Sequence, residues 1–78
     1  MKELLEYIAR ELVENPDGVA VNEIRDDRGV LLQLTVDPED MGKVIGKGGR
    51  TARAIRQVVK AAAIRDGVHA AVEIVDQR

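Results

Sequence analysis

Four cations stand around one glycine-rich stretch: Lys43, Lys47, Arg50 and Arg53 bracket Gly46-Lys47-Gly48-Gly49. Glycine admits positive φ and lets another backbone come close. A helix that starts just beyond such a turn offers unpaired N–H groups and a partial positive charge. Cations, open backbone and a helix start together describe a cradle for an anion, and the extended anion that suits them is a nucleic-acid backbone. Phosphate contacts of this kind position a strand without reading its sequence.

Other glycine-rich phosphate binders fit poorly. A Walker A loop requires G-x-x-x-x-G-K-[ST] after a strand, but Gly48 follows Lys47 and Met41 stands where the first glycine belongs. A dinucleotide fingerprint requires G-x-G-x-x-G between strand and helix. Here Thr51 replaces the last glycine, and the preceding segment reads as helix.

Charge supports the cradle. The 78-residue chain has a formal net charge of -2, yet Met1–Asp40 holds four basic and eleven acidic residues and Met41–Arg78 eight basic and three acidic. The basic half carries the turn. With 45% apolar residues the chain is long enough for one small domain with a modest core, which oligomerisation would help to stabilise. Cysteine is absent, so disulfides and thiolate chemistry are excluded. No apolar run nears the ~20 residues of a membrane span and nothing resembles a signal peptide, so a cytoplasmic location without membrane contact is expected.

The elements that must hold the turn follow from periodicity. Lys2–Glu14 reads as a helix with Leu5, Ile8 and Leu12 as its apolar stripe, widened by Met1, Leu4 and Ala9. Asn15-Pro16-Asp17-Gly18 ends it. Val19–Asp26 and Val30–Val36 read as strands, the second with Val30, Leu32, Leu34 and Val36 on one face. A three-residue turn with a bulge between them places Ile24 beside Leu32 on the buried face. Asp37 caps the next helix with Pro38 at its first position and Asp40 in a capping-box role, and this helix runs to about Ile45. A longer helix covers Thr51–Arg65, and Val68–Val75 forms a last strand. The order is α-β-β-α-α-β: strands two and three lie parallel, strand one antiparallel on the other side of strand two, and three helices cover one face of a three-stranded mixed sheet.

The long helix has two stripes. Ala52, Ile55, Val58, Val59, Ala62 and Ala63 form the expected core arc. Ala54, Gln57, Ala61 and Ile64 recur at spacings of three, four and three, a narrow seam suited to packing against a second copy.

Val44-Ile45-Gly46-Lys47-Gly48-Gly49-Arg50 through Ile55 closely resembles the V-I-G-x-x-G-x-x-x-x-x-I signature of KH domains, and the element order is that of the type II form. The resemblance covers the whole chain, 1–78, as a single domain. It implies an α+β fold and an RNA-binding module whose turn clamps about four unpaired nucleotides. It places Gly46, Lys47, Gly48, Gly49, Arg50, Lys43 and Arg53 at the RNA backbone. Val44, Ile45 and the edge of strand two then line the groove for bases. The length, the acidic first helix and the run from Asp37 to Arg56 are similar to small free-standing bacterial KH proteins. Those form homodimers or pair with a larger protein that carries its own KH domain, and in some bacteria they are linked to cell elongation and division.

One aromatic residue, Tyr7, argues against base-stacking sheets and OB-type platforms. Without stacking, one copy should bind weakly and with broad sequence tolerance, and two copies more tightly through avidity. His69 is the lone histidine, serine is absent, and the carboxylate pairs Asp26-Asp27 and Glu39-Asp40 belong to a turn and a helix start. No constellation supports catalysis, a metal or another cofactor. The alternative is a dimerising scaffold for which nucleic-acid binding is incidental.

Overall fold

Alternation at Val30, Leu32, Leu34 and Val36 builds the centre of the molecule: all four are buried, with the intervening residues half-exposed. A computed structural model describes residues 1–75. Its elements are α1 (Lys2–Leu12), β1 (Ala20–Asp26), β2 (Gly29–Thr35), α2 (Met41–Ile45), α3 (Arg50–Arg65) and β3 (Ala70–Ile74). The sheet order is β1-β2-β3, with β1 antiparallel and β3 parallel to β2, as the crossover through two helices requires. The expected α+β, type II KH arrangement is the one observed.

The hairpin register differs from expectation. Asp26 pairs with Gly29 across a two-residue turn, so Ile24 faces Leu31 on the outer side, 44% exposed, and Glu23 lies opposite Leu32. Among the described residues no non-glycine has positive φ, so Asp27 and Arg28 do not form the primed turn that usually closes a tight hairpin. Instead the Asp26 carboxylate accepts the N–H groups of Arg28 and Gly29, at 2.7 and 3.1 Å. Gly29 has φ +145°, and a side chain there would collide with the His69 backbone. The hairpin is thereby seated against the loop that leads into β3.

Two helices bury the expected faces but along narrower stripes. In α1 the buried residues are Leu5 and Ala9, with Met1, Ile8 and Val13 packed beside them. Leu12 is exposed. In α3 the core stripe narrows to Ala52, Ile55, Val59 and Ala63, and Val58 is 48% exposed. Leu4, Tyr7, Ile8 and Leu12 of α1 also line an apolar groove with Thr51, Ala54, Ile55 and Val58 of α3. α3 ends in a Schellman motif: Gly67 has φ +71°, its N–H meets the Ile64 carbonyl, and the Val68 N–H meets that of Ala63.

Asp37 caps as expected, accepting the Glu39 N–H at 3.0 Å. Asp40 does not. Its carboxylate is 1% exposed and accepts the backbone N–H groups of Glu14 and Asn15, at 3.2 and 3.0 Å, and the Asn15 side-chain amide at 3.3 Å. Burial pushes its pKa up, but these three hydrogen bonds and the Lys43 charge outweigh that and hold it below the ordinary aspartate value. No helix of the described residues is long and apolar enough to cross a membrane.

Candidate nucleic-acid interface

α2 is only five residues long and ends at Gly46, whose N–H reaches the Gly42 carbonyl at 2.9 Å. Three glycines of the next four residues have positive φ: Gly46 at +75°, Gly48 at +65° and Gly49 at +78°. They reverse the chain within one tight turn, closed by the Gly49 N–H on the Gly46 carbonyl at 3.1 Å. α3 then begins without a side-chain cap. The Arg50 N–H already donates to the Lys47 carbonyl, so only the N–H groups that follow it in the first turn keep capacity for an anion.

The glycines have different reasons to be glycine. A side chain on Gly46 would run into Thr51, whose backbone nitrogen lies 2.8 Å from the ideal Cβ position. The space where that side chain would sit is filled by Thr51. A side chain on Gly48, Gly49 or Gly42 would meet nothing among the described residues within 4 Å of its Cβ. Gly42 was not among the expected site residues. Its signal is a glycine inside a helix, a placement that costs about 0.5–1 kcal/mol against alanine and gains no internal contact.

Lys47, Arg50 and Arg53 are exposed, and among the described residues no carboxylate pairs with any of them. Lys43 is also exposed but sits 3.6 Å from the Glu14 carboxylate at the end of α1. Ile45 is partly exposed, whereas Val44 is 0% exposed and belongs to the core. Val44 therefore anchors α2 beneath the turn and presents no surface to a base.

The expected groove also moves. β2 is the central strand, hydrogen-bonded on both sides, and has no free edge. The groove beside the turn instead runs between α3 and the open edge of β3, lined by Arg53, Arg56, Gln57, Lys60 and Ala70–Val72, with a volume of about 470 Å³. Lys60, Ala70 and Ala71 also line a second depression that continues to Arg28 in the hairpin turn and to His69. Arg56 and Lys60 were not singled out in the sequence, because their role depends on which strand ends the sheet. Gln57, expected only in the seam, lines the groove. Ala54, Ala61 and Ile64 are exposed on α3, Ile64 at 65%.

A family model described as the KhpA/KhpB KH domain matches residues 2–74. Among curated proteins, the chain is 57% identical over 75 residues to RNA-binding protein KhpA of Clostridium perfringens, covering 96% of this chain and all of that one. It is 55% identical over 75 residues to RNA-binding protein KhpA of Caldanaerobacter subterraneus, with the same coverage. The protein of that name from Aquifex aeolicus is 43% identical over 76 residues, 97% of this chain and 96% of that one. A comparison with solved structures gives no match.

Proposed function

The chain belongs to the KhpA/KhpB family of KH domains, and from that membership we propose that it binds single-stranded RNA, without catalysis, by clamping the backbone at Gly46–Gly49. The observation that carries this reading is the open side of the turn. A Cβ on Gly48 or Gly49 would meet nothing within 4 Å among the described residues, and the exposed cations Lys47 and Arg50, unpaired among those residues, flank them. Phosphates would lie against these glycines and the uncapped start of α3, with Arg53 one turn further on. Lys43 would join after leaving Glu14. Bases would then fall towards the groove between α3 and β3. A role as an RNA chaperone or post-transcriptional regulator, linked to cell elongation and division, is what the resemblance to small bacterial KH proteins adds.

The same proposal includes self-association. The seam of Ala54, Gln57, Ala61 and Ile64 is exposed and adjoins the apolar groove of Tyr7, Leu12 and Val58, so a second copy has a continuous surface to cover. Two clamps in one assembly would bind a single RNA with higher avidity. A larger KH-domain protein of the KhpB kind could occupy the same surface. In the scaffold reading this surface would be the main function and RNA binding secondary.

The test is a titration of fluorescent single-stranded RNA into the wild type and a Lys47→Asp, Gly48→Asp double variant at two salt concentrations. Gly48 is in a left-handed conformation that aspartate tolerates, with open space around it, so the variant should fold. Binding should vanish in the variant, and wild-type affinity should fall with salt. Equal binding by both proteins would remove the turn from the RNA site.

A further inference from the structure

The groove between α3 and β3 has a floor of free backbone. The Val30 N–H bonds to the His69 carbonyl at 2.8 Å and the Val75 N–H to the Leu34 carbonyl at 2.9 Å. Backbone groups of successive residues in a strand point to opposite sides. Residues 69, 71, 73 and 75 therefore face β2, and Ala70, Val72 and Ile74 turn their N–H and C=O groups to the open edge, those of Ala70 and Val72 within the groove. One of these groups is already engaged. Arg56 Nε donates to the Val72 carbonyl at 3.2 Å.

That single bond aims the rest of the side chain. A guanidinium is planar and carries five N–H donors in a fixed fork. With Nε held on Val72, its two terminal nitrogens remain, and among the described residues no carboxylate pairs with them. Among the described residues the groove has no aromatic side chain, and its β3 wall is Ala70, Ala71 and Val72. Stacking therefore cannot rank bases there, and hydrogen bonding must.

Building on the RNA-binding reading, we propose that Arg56 determines base preference, selecting a base that shows two adjacent acceptors on one edge. Guanine does so with O6 and N7, and cytosine with O2 and N3. The corresponding edge of adenine alternates acceptor with donor, and uracil sets an N–H between its two carbonyls. A donor-only fork meets both acceptors of the first pair and leaves one donor unmet with the second. Lysine, a point charge without a fork, cannot make the distinction.

The experiment uses four labelled RNA octamers: all uridine, and the same chain with its two central positions changed to cytidine, guanosine or adenosine. Each is titrated into the wild type, Arg56→Lys and Arg56→Gln, with thermal melts of all three proteins. The wild type should bind the cytidine or guanosine octamer roughly five- to a hundredfold more tightly than the uridine and adenosine ones. Both variants should bind all four octamers within about twofold of one another. A wild type that binds all four equally overturns the proposal. So does an unchanged ranking in the variants, and if their melting points also drop, Arg56 is a cap on the sheet edge and nothing more. A wild type that binds no octamer overturns the RNA-binding reading itself, and the proposal with it.

Discussion

The carboxylate of Asp40 accepts both the backbone N–H and the side-chain amide of Asn15, at 3.0 and 3.3 Å. With the Glu14 N–H as a third donor, it ties the end of α1 to the residue immediately before α2. Lys43 repeats the link on the surface through Glu14. The glycine turn thus hangs from a short helix whose entry is fixed against α1 by a buried charge, and whose interior is fixed by Val44.

Removing that charge should loosen the frame of the turn. Asp40→Asn would set an amide N–H₂ against backbone donors, and buried donors left without an acceptor are costly. The melting temperature should fall by roughly 10 °C. The acid response should change with it. Because the folded-state pKa is lowered, the carboxylate's contribution is complete above its unfolded value and is lost as pH falls through the folded one. The gap between wild type and Asp40→Asn should be constant near neutrality and close only below about pH 4. Equal melting curves at pH 7 would refute the role.

What could be read in the sequence was whatever depends on local period. The alternation from Val30 to Val36, the break at Asn15-Pro16 and the glycine turn each carry their cause in neighbouring residues. Asp40 does not, because its partners lie 25 and 26 positions away. The hairpin register was missed because a carboxylate, not a glycine, shapes its turn. Leu12 and Val58 were misplaced because both helices have more apolar residues than the sheet can cover. Arg56 and Lys60 gained a role only once β3 was seen to end the sheet.

The unequal surroundings of the glycines predict unequal costs. Gly48→Ala should lose about 1 kcal/mol, from positive φ alone. Gly46→Ala adds a collision with Thr51 and should lose at least about 2 kcal/mol. Urea denaturation of the two variants would separate them, and an equal cost would mean that Thr51 does not enforce glycine at position 46.

Glu14 should act as a competitor for Lys43. An RNA phosphate that recruits Lys43 must displace the carboxylate 3.6 Å away, so Glu14→Gln should tighten RNA binding by roughly two- to fivefold at low salt, with the gain shrinking as salt screens the pair. Lys47→Ala and Arg50→Ala should each flatten the slope of log affinity against log salt by about 0.7. Tighter binding by Glu14→Gln that persists unchanged at high salt would contradict a competition between charges.

Ala54 is common to both apolar surfaces of α3: it belongs to the seam with Ala61 and Ile64, and it lines the groove with Tyr7, Leu12 and Val58. Its side chain is exposed and outside the core stripe, so a larger residue there is tolerated by the fold of one copy but not by close helix packing between two. Ala54→Arg should therefore yield a folded monomer by sedimentation, and its melting temperature should no longer rise with protein concentration. Ile64→Asp and Val58→Asp then locate the interface. Loss of dimer with Ile64→Asp alone centres it on the outward seam, and loss with Val58→Asp alone centres it on the groove beside α1. A wild type that is already monomeric at several hundred micromolar would remove self-association from the proposal and leave the paired clamp without a basis.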